Sequence, residues 1–151
     1  MRSPSSIKEY RPGPQSVQCI WTALGLPSRG TRLHELVYEG LSFEYLDRIA
    51  SALQMQRGVV SKAMGMSPAT MARRRRAGRF NTVESDRLVA LLSVLERAVC
   101  LFEGDLSAAK RWMCSPVRGL GSKCPIEMTG TRVETQAVLD FIGQLEKSIL
   151  V

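Results

Sequence analysis

Residues 57–79 read RGVVSKAMGMSPATMARRRRAGR, and the fold follows from how this stretch is parsed. Its first part predicts a short helix over 57–64 with Val59, Val60 and Ala63 turned inward. Gly65 then tolerates the left-handed backbone at which such helices stop. Ser67 and Pro68 follow in the order preferred at a helix start, an N-cap and then a proline that needs no N–H. The second helix runs to Ala77 and ends at Gly78. Two short helices joined by so tight a turn are the signature of a helix-turn-helix unit.

The charge pattern says what such a unit meets. Between Asp47 and Glu84 the chain carries Arg48, Arg57, Lys62, Arg73, Arg74, Arg75, Arg76 and Arg79 and no acidic residue. The whole chain is formally +7, with 21 Lys and Arg against 14 Asp and Glu, and removing those eight leaves 13 against 14. The positive charge is therefore local. A cationic surface focused on a helical pair attracts a polyanion with a regular backbone, of which duplex DNA is the leading example. In a helix-turn-helix the second helix enters the major groove with its N-terminal residues at the base edges. Ser67, Ala69, Thr70 and Arg73 occupy those positions. Arg73 has the reach for a bidentate guanine contact, and Ser67 with the free N–H groups of the first turn suits a phosphate. Arg76 and Arg79 read as phosphate contacts, and Lys62 is a further DNA-binding candidate. Arg74 joins them as a candidate, although four consecutive arginines spray around the axis about 100° apart, so the stem of Arg74 or Arg75 is expected along the domain edge and Met71 inward.

Outward from this pair the chain is helical throughout. Ser42 is placed to cap a helix carrying Tyr45, Leu46, Ile49, Ala50 and Leu53. Asn81 or Thr82 caps a long helix with Leu88, Leu91, Leu92, Leu95, Val99 and Phe102 on its stripe, broken by Gly104-Asp105. A helix over 106–114 ends before Pro116, residues 117–131 are glycine-rich with one turn at 125–128, and a last helix from about Thr131 sets Val133, Ala137, Val138, Phe141, Ile142 and Leu145 inward. No alternating pattern predicts a strand, so the fold class is all-α. Residues 1–30 read as a tail. Within it, Trp21, Leu24 and Leu26 can dock on a core, but Gly25, Pro27 and Gly30 forbid a long helix. The domain expectation is a tail over 1–30, a helix-turn-helix domain over 31–104 and a second helical domain over 105–151.

The composition excludes several functions. An apolar fraction of 44% excludes wholesale disorder. The four cysteines are dispersed with no CxxC pair and the chain has one histidine, which argues against a metal site and fits reduced thiols in a cytosol. Cys100 and Cys114 lie in apolar helical stretches and read as small hydrophobes. No run reaches the ~20 apolar residues of a membrane span, and no signal peptide is apparent at the start. His34 has no partner at catalytic or ligand spacing, and Gly119–Gly121 lacks the strand and Lys-Ser/Thr ending of a phosphate loop. No acid–base pair, triad or cofactor motif is assembled. The chain reads as non-catalytic, without metal or cofactor.

From about Leu36 the sequence resembles the Xre/MbcA/ParS family of type II antitoxins, the Xre-like partners of RES-domain toxins. The segments that carry this are Glu39-Gly40-Leu41-Ser42, Met66-Ser67-Pro68-Ala69-Thr70-Met71-Ala72-Arg73-Arg74, Gly78-Arg79-Phe80-Asn81 and Glu84-Ser85-Asp86-Arg87-Leu88. The C-terminal third is similar to that family's toxin-binding domain at Ala109, Trp112-Met113, Pro116, Leu120-Gly121, Pro125-Ile126-Glu127-Met128, Thr129, Gly130, Val133 and Leu139. It departs at Lys123-Cys124, where the family has Gly-Thr, and at Leu145-Glu146-Lys147-Ser148-Ile149. The resemblance implies an antitoxin that covers the active site of an NAD-depleting RES toxin, binds operator DNA to regulate its own operon, forms a homodimer and resides in the cytoplasm, on the nucleoid when bound to DNA. It implies toxin contacts among Trp112, Pro116, Leu120, Pro125, Phe141, Leu145, Ser148, Ile149, Leu150 and Val151. Residues 105–151 carry six basic and five acidic groups and end in an apolar tip, which suits a protein pocket better than a nucleic acid. A free-standing helix-turn-helix repressor whose C-terminal domain only dimerises is the competing reading. A tryptophan such as Trp112 also serves as ordinary core.

Overall fold

Asn81 opens the longest helix, α6 (Thr82–Leu101), through a reciprocal cap: its side chain accepts from the Glu84 N–H at 2.8 Å, and the Glu84 carboxylate accepts from the Asn81 N–H at 3.0 Å. This satisfies two backbone donors that a helix start leaves orphaned. Behind the cap, Leu88, Leu91, Leu92, Val94, Leu95, Ala98 and Val99 are all buried. Apolar side chains on so wide an arc mean that α6 is covered on several sides, and the other elements supply that cover.

The structure is a computed structural model describing residues 17–149; residues 1–16, Leu150, Val151 and the Ile149 side chain lie outside the described residues. Ahead of α6 come α1 (Val17–Leu24), α2 (Thr31–Glu39), α3 (Glu44–Ala52), α4 (Arg57–Ala63) and α5 (Pro68–Ala77). After it come α7 (Leu106–Met113), 3-10 turns at Arg118–Leu120 and Pro125–Met128, and α8 (Arg132–Ile149). The described residues hold no strand, only isolated antiparallel bridges between Ser42 and Arg79 and between Val117 and Lys123. The protein is all-α, as its sequence predicts. α1, α2, α7 and α8 each pack on α6, and α1 and α4 both meet α3.

Several particulars differ from the sequence reading. From Val17 onward the expected tail is structured, with Trp21 only 2% exposed and its indole N–H donating to Glu96 Oε2 on α6 at 2.9 Å. Gly25 limits α1 to two turns, yet two turns suffice to insert Trp21, Leu24 and Leu26 into the core. Ser42 is not the cap of α3; Phe43 holds that position without a side-chain bond. Val59 is 39% exposed and Val133 80%, although both were expected inside. In α4 only Val60 and Ala63, three residues apart, share the inward face. Val133 precedes the buried Val138 by five positions, which turns it about 140° away from the core. Ala137, Cys100 and Cys114 are likewise exposed.

The helix-turn-helix is clamped to the body by backbone. Phe43 N–H donates to Gly78 O at 3.0 Å and Phe80 N–H to Leu41 O at 2.9 Å, while the Phe43 and Phe80 rings meet at 5.3 Å between centroids. Gly40 makes the approach possible. Its φ is 91°, and a Cβ there would lie 2.1 Å from Phe80 O. Gly40→Ala combines left-handed strain with a backbone clash, so it should lower unfolding free energy by at least about 2 kcal/mol, read as a shifted urea midpoint. An unchanged midpoint would contradict this close approach.

Candidate nucleic-acid interface and partner-binding domain

α5 buries none of its own residues, so its placement depends on its ends and on a few bridges. At the start, Ser67 Oγ accepts from the Thr70 N–H at 3.2 Å and lies 3.0 Å from Thr70 Oγ1. Arg73 Nη2 donates to Thr70 Oγ1 at 3.4 Å. The chain Ser67–Thr70–Arg73 thus lays the Arg73 side chain along the first turn, where the helix dipole and free N–H groups favour an anion. At the far end Gly78 adopts φ 75° and donates back to Arg74 O.

The arginine run divides by function. Arg74, a sequence candidate for DNA contact, instead turns back to Glu84: its Nε lies 2.6 Å from Oε1, with side-chain exposures of 26% and 6%. One buried carboxylate therefore caps α6 and anchors α5. Arg75 extends over the Phe43 ring, 5.9 Å from its centroid. Arg79 donates to Glu39 O at 3.1 Å, next to the Gly40 approach. Arg48 pairs with Glu44 at 3.3 Å, and Arg57 with Asp47. Of the eight cations in this stretch, Lys62, Arg73, Arg75, Arg76 and Arg79 have no carboxylate partner. Lys62, Ala69, Arg73 and Arg76 are exposed, Ser67 caps at the surface, and Thr70 is half-buried. Arg75 is the residue the sequence reading undervalued. With Arg57 and Lys62 it rims a groove between α4 and α5 floored by Met66, Pro68 and Met71. Its position three residues after Ala72, on the side of α5 facing α4, was the available signal.

The Glu84-Ser85-Asp86-Arg87 segment is structural bracing. Besides Glu84, Ser85 Oγ accepts from the Leu41 N–H at 2.8 Å in full burial, and Arg87 Nη1 donates to Met64 O, at the turn between α4 and α5, at 3.3 Å. The same turn is reached from the C-terminal region: Thr129, 2% exposed, has its Oγ1 3.4 Å from Ala63 O. Lys110 Nζ on α7 donates to Gln54 O just beyond α3.

In the C-terminal region the ten candidate contact residues separate clearly. Pro116 and Ser148 are exposed, and Trp112, Phe141 and Leu145 are half-buried. Trp112 sits 6.4 Å from the Phe102 ring, against the core. Leu120 and Pro125 are buried and so are not surface contacts, correcting the sequence expectation. Each belongs to a 3-10 turn whose apolar residues anchor an otherwise irregular segment, Pro125 alongside Ile126 and Met128. Ile149 closes α8, and the apolar tip Leu150-Val151 lies outside the described residues. No group of three or more His, Cys, Asp or Glu among the described residues is placed to hold a metal ion. None of the described helices is long and apolar enough to cross a membrane.

A clamped, cationic helix-turn-helix followed by a second, shorter helical unit defines a two-part helix-turn-helix protein. The antitoxin Xre-like helix-turn-helix domain matches residues 32–93, and the antitoxin Xre/MbcA/ParS C-terminal toxin-binding domain matches residues 97–147. A protein named antitoxin Xre from Yersinia enterocolitica is 34% identical over 146 residues, covering 95% of this chain and 99% of that one. Another antitoxin Xre, from Photorhabdus laumondii, is 32% identical over 133 residues, covering 87% and 90%. The chain belongs to the Xre antitoxin family, and its partner is a cognate toxin.

Gly119 shows how tightly the toxin-binding domain is packed around α8. A Cβ there would fall 2.2 Å from Phe141 Cε2. Gly119→Ala should displace the ring and reduce toxin capture, and Gly119→Ala with Phe141→Leu should recover part of the loss. Pull-down titration measures both, and equal capture by Gly119→Ala and the parent would remove Phe141 from the determinants of this surface.

Proposed function

We propose that this antitoxin neutralises a RES-domain toxin by covering its active site, and that α5 reads operator DNA to regulate the operon encoding both. The observation that carries the DNA reading is that, of the eight cations between Arg48 and Arg79, Lys62, Arg73, Arg75 and Arg76 lie on α4 and α5 without a carboxylate partner, in a stretch that holds no acid of its own. A solvated structural face interleaves its charges with acids, and this one does not. Lys62, Ser67, Ala69, Thr70, Arg73, Arg75 and Arg76 are the contact set, with Arg79 at its margin. Arg73 reads a base edge from the first turn, while Lys62, Arg75 and Arg76 meet phosphates.

For the toxin, support comes from the near balance of charge in residues 105–151, from the exposed Pro116 and Ser148 and half-buried Trp112, Phe141 and Leu145, and from the apolar sequence Ile149-Leu150-Val151. Such an end plugs a pocket by occupancy, and inhibition of this kind requires no chemistry from the antitoxin, which acts as a non-enzyme. A homodimer presents two copies of α5 to a two-fold operator in the cytoplasm, on the nucleoid.

Arg73→Ala should weaken operator binding by about 1–3 kcal/mol and relax sequence preference. Arg74→Ala should mainly lower stability, because it leaves Glu84 buried without its cation. Mobility-shift titration beside thermal melting separates the two, and identical DNA affinity in parent and Arg73→Ala would remove that residue from readout. Deleting residues 149–151 should abolish rescue of cells co-expressing the adjacent toxin gene while DNA affinity stays within about twofold. Full rescue by the truncated chain would sink the plug.

A further inference from the structure

The irregular segment between α7 and α8 brings two cysteines together. Cys114 follows the last residue of α7, and Cys124 precedes the 3-10 turn at Pro125–Met128. The bridge between Val117 and Lys123, closed by the Val117 N–H donating to Lys123 O at 3.1 Å, folds the intervening loop back on itself. As a result Cys124 Sγ lies 3.5 Å from Cys114 O. Both are free thiols, Cys114 exposed and Cys124 half-exposed. Burial pushes the Cys114 thiol up, the neighbouring Cys124 adds to that shift and Lys110 opposes it. Cys114 lies outside the core beside the buried Met113, while Cys124 is partly buried and packs against the core next to Ile126 and Met128.

We propose that Cys114 and Cys124 are an oxidisable pair, converted by hydrogen peroxide into an intramolecular disulfide that closes the 114–124 loop and weakens capture of the toxin. The Cys114 thiolate attacks one peroxide oxygen and the O–O bond breaks. This gives a sulfenic acid and a hydroxide that leaves as water with the thiol proton. The Cys124 thiolate then attacks the Cys114 sulfur, the S–O bond breaks, and the second hydroxide leaves as water with the Cys124 proton. Two thiols lose two electrons and two protons, and the peroxide is reduced to two waters.

Loop geometry connects this chemistry to binding. In the thiol form Cys124 Sγ is directed at the Cys114 carbonyl, whereas a disulfide requires it about 2.05 Å from the other sulfur. Bond formation therefore turns Cys124 away from that carbonyl and draws in the segment carrying Pro116, an exposed member of the proposed toxin surface. The effect on capture rests on the proposed toxin reading, and the disulfide itself does not.

The full-length chain is treated with hydrogen peroxide at neutral pH, alkylated and digested with trypsin. The expected product is one peptide pair, residues 112–118 joined to residues 124–132, about 2 Da lighter than the two thiol peptides together, with Cys100 still alkylated. Cys124→Ser should prevent it. Both thiols alkylated as before, or a link only between separate chains, overturns the proposal. Toxin titration of the reduced and oxidised chains should show about tenfold weaker capture after oxidation, reversed by dithiothreitol and absent in Cys124→Ser. Equal capture in the two redox states overturns the effect on binding. If the reduced chain captures no RES toxin, the function reading fails instead, and the peptide pair still decides the disulfide.

Discussion

Everything in this protein is hung on α6. One twenty-residue helix passes through both functional units, and nine of its residues are buried. α1 and α2 cover it from the N-terminal part of the chain, α7 and α8 from the C-terminal part. Fully burying a leucine contributes about 1.5–3 kcal/mol, and α6 buries four between Leu88 and Leu95, so this helix alone accounts for much of the driving force. The two family matches end at residue 93 and begin at residue 97, both inside α6. No flexible linker lies at that point. The two domains share one core.

Charge is used economically around that core. The local positive excess over residues 48–79 does not all face solvent. Arg74 is drawn inward by Glu84, Arg79 braces a carbonyl, and Arg48 and Arg57 pair with acids just outside the arginine-rich stretch. What remains free is a smaller group placed by the Ser67–Thr70–Arg73 chain and by the α4–α5 groove. A helix that buries nothing of its own is thereby held in a defined orientation.

The signals legible in the sequence were local ones. Ser67-Pro68, Gly65, Gly78 and Asn81, one of two cap candidates with Thr82, mark helix ends through bonds within a few residues, and each appears where the sequence placed it. What was not legible depends on partners distant in sequence. Nothing near Trp21 says that Glu96 awaits its indole, and nothing in a run of four arginines says which one meets Glu84. In the toxin-binding domain, resemblance pointed to Leu120 and Pro125 as contacts, but an irregular segment needs interior anchors and these two serve that purpose. Val59, Val133 and the exposed cysteines show the limit of reading apolar residues by type, since one helical step separates inside from outside.

Thr129 and Lys110 cross from the toxin-binding domain to carbonyls at Ala63 and Gln54, on either side of α4. Neither half is therefore a portable cassette. An ancestor that acquired a new toxin could not graft a foreign C-terminal region onto its existing helix-turn-helix without also refitting the contacts on either side of α4. Lineages of such proteins should diversify by gradual co-adjustment of both ends, and mosaics joined between the halves should be rare among their genes.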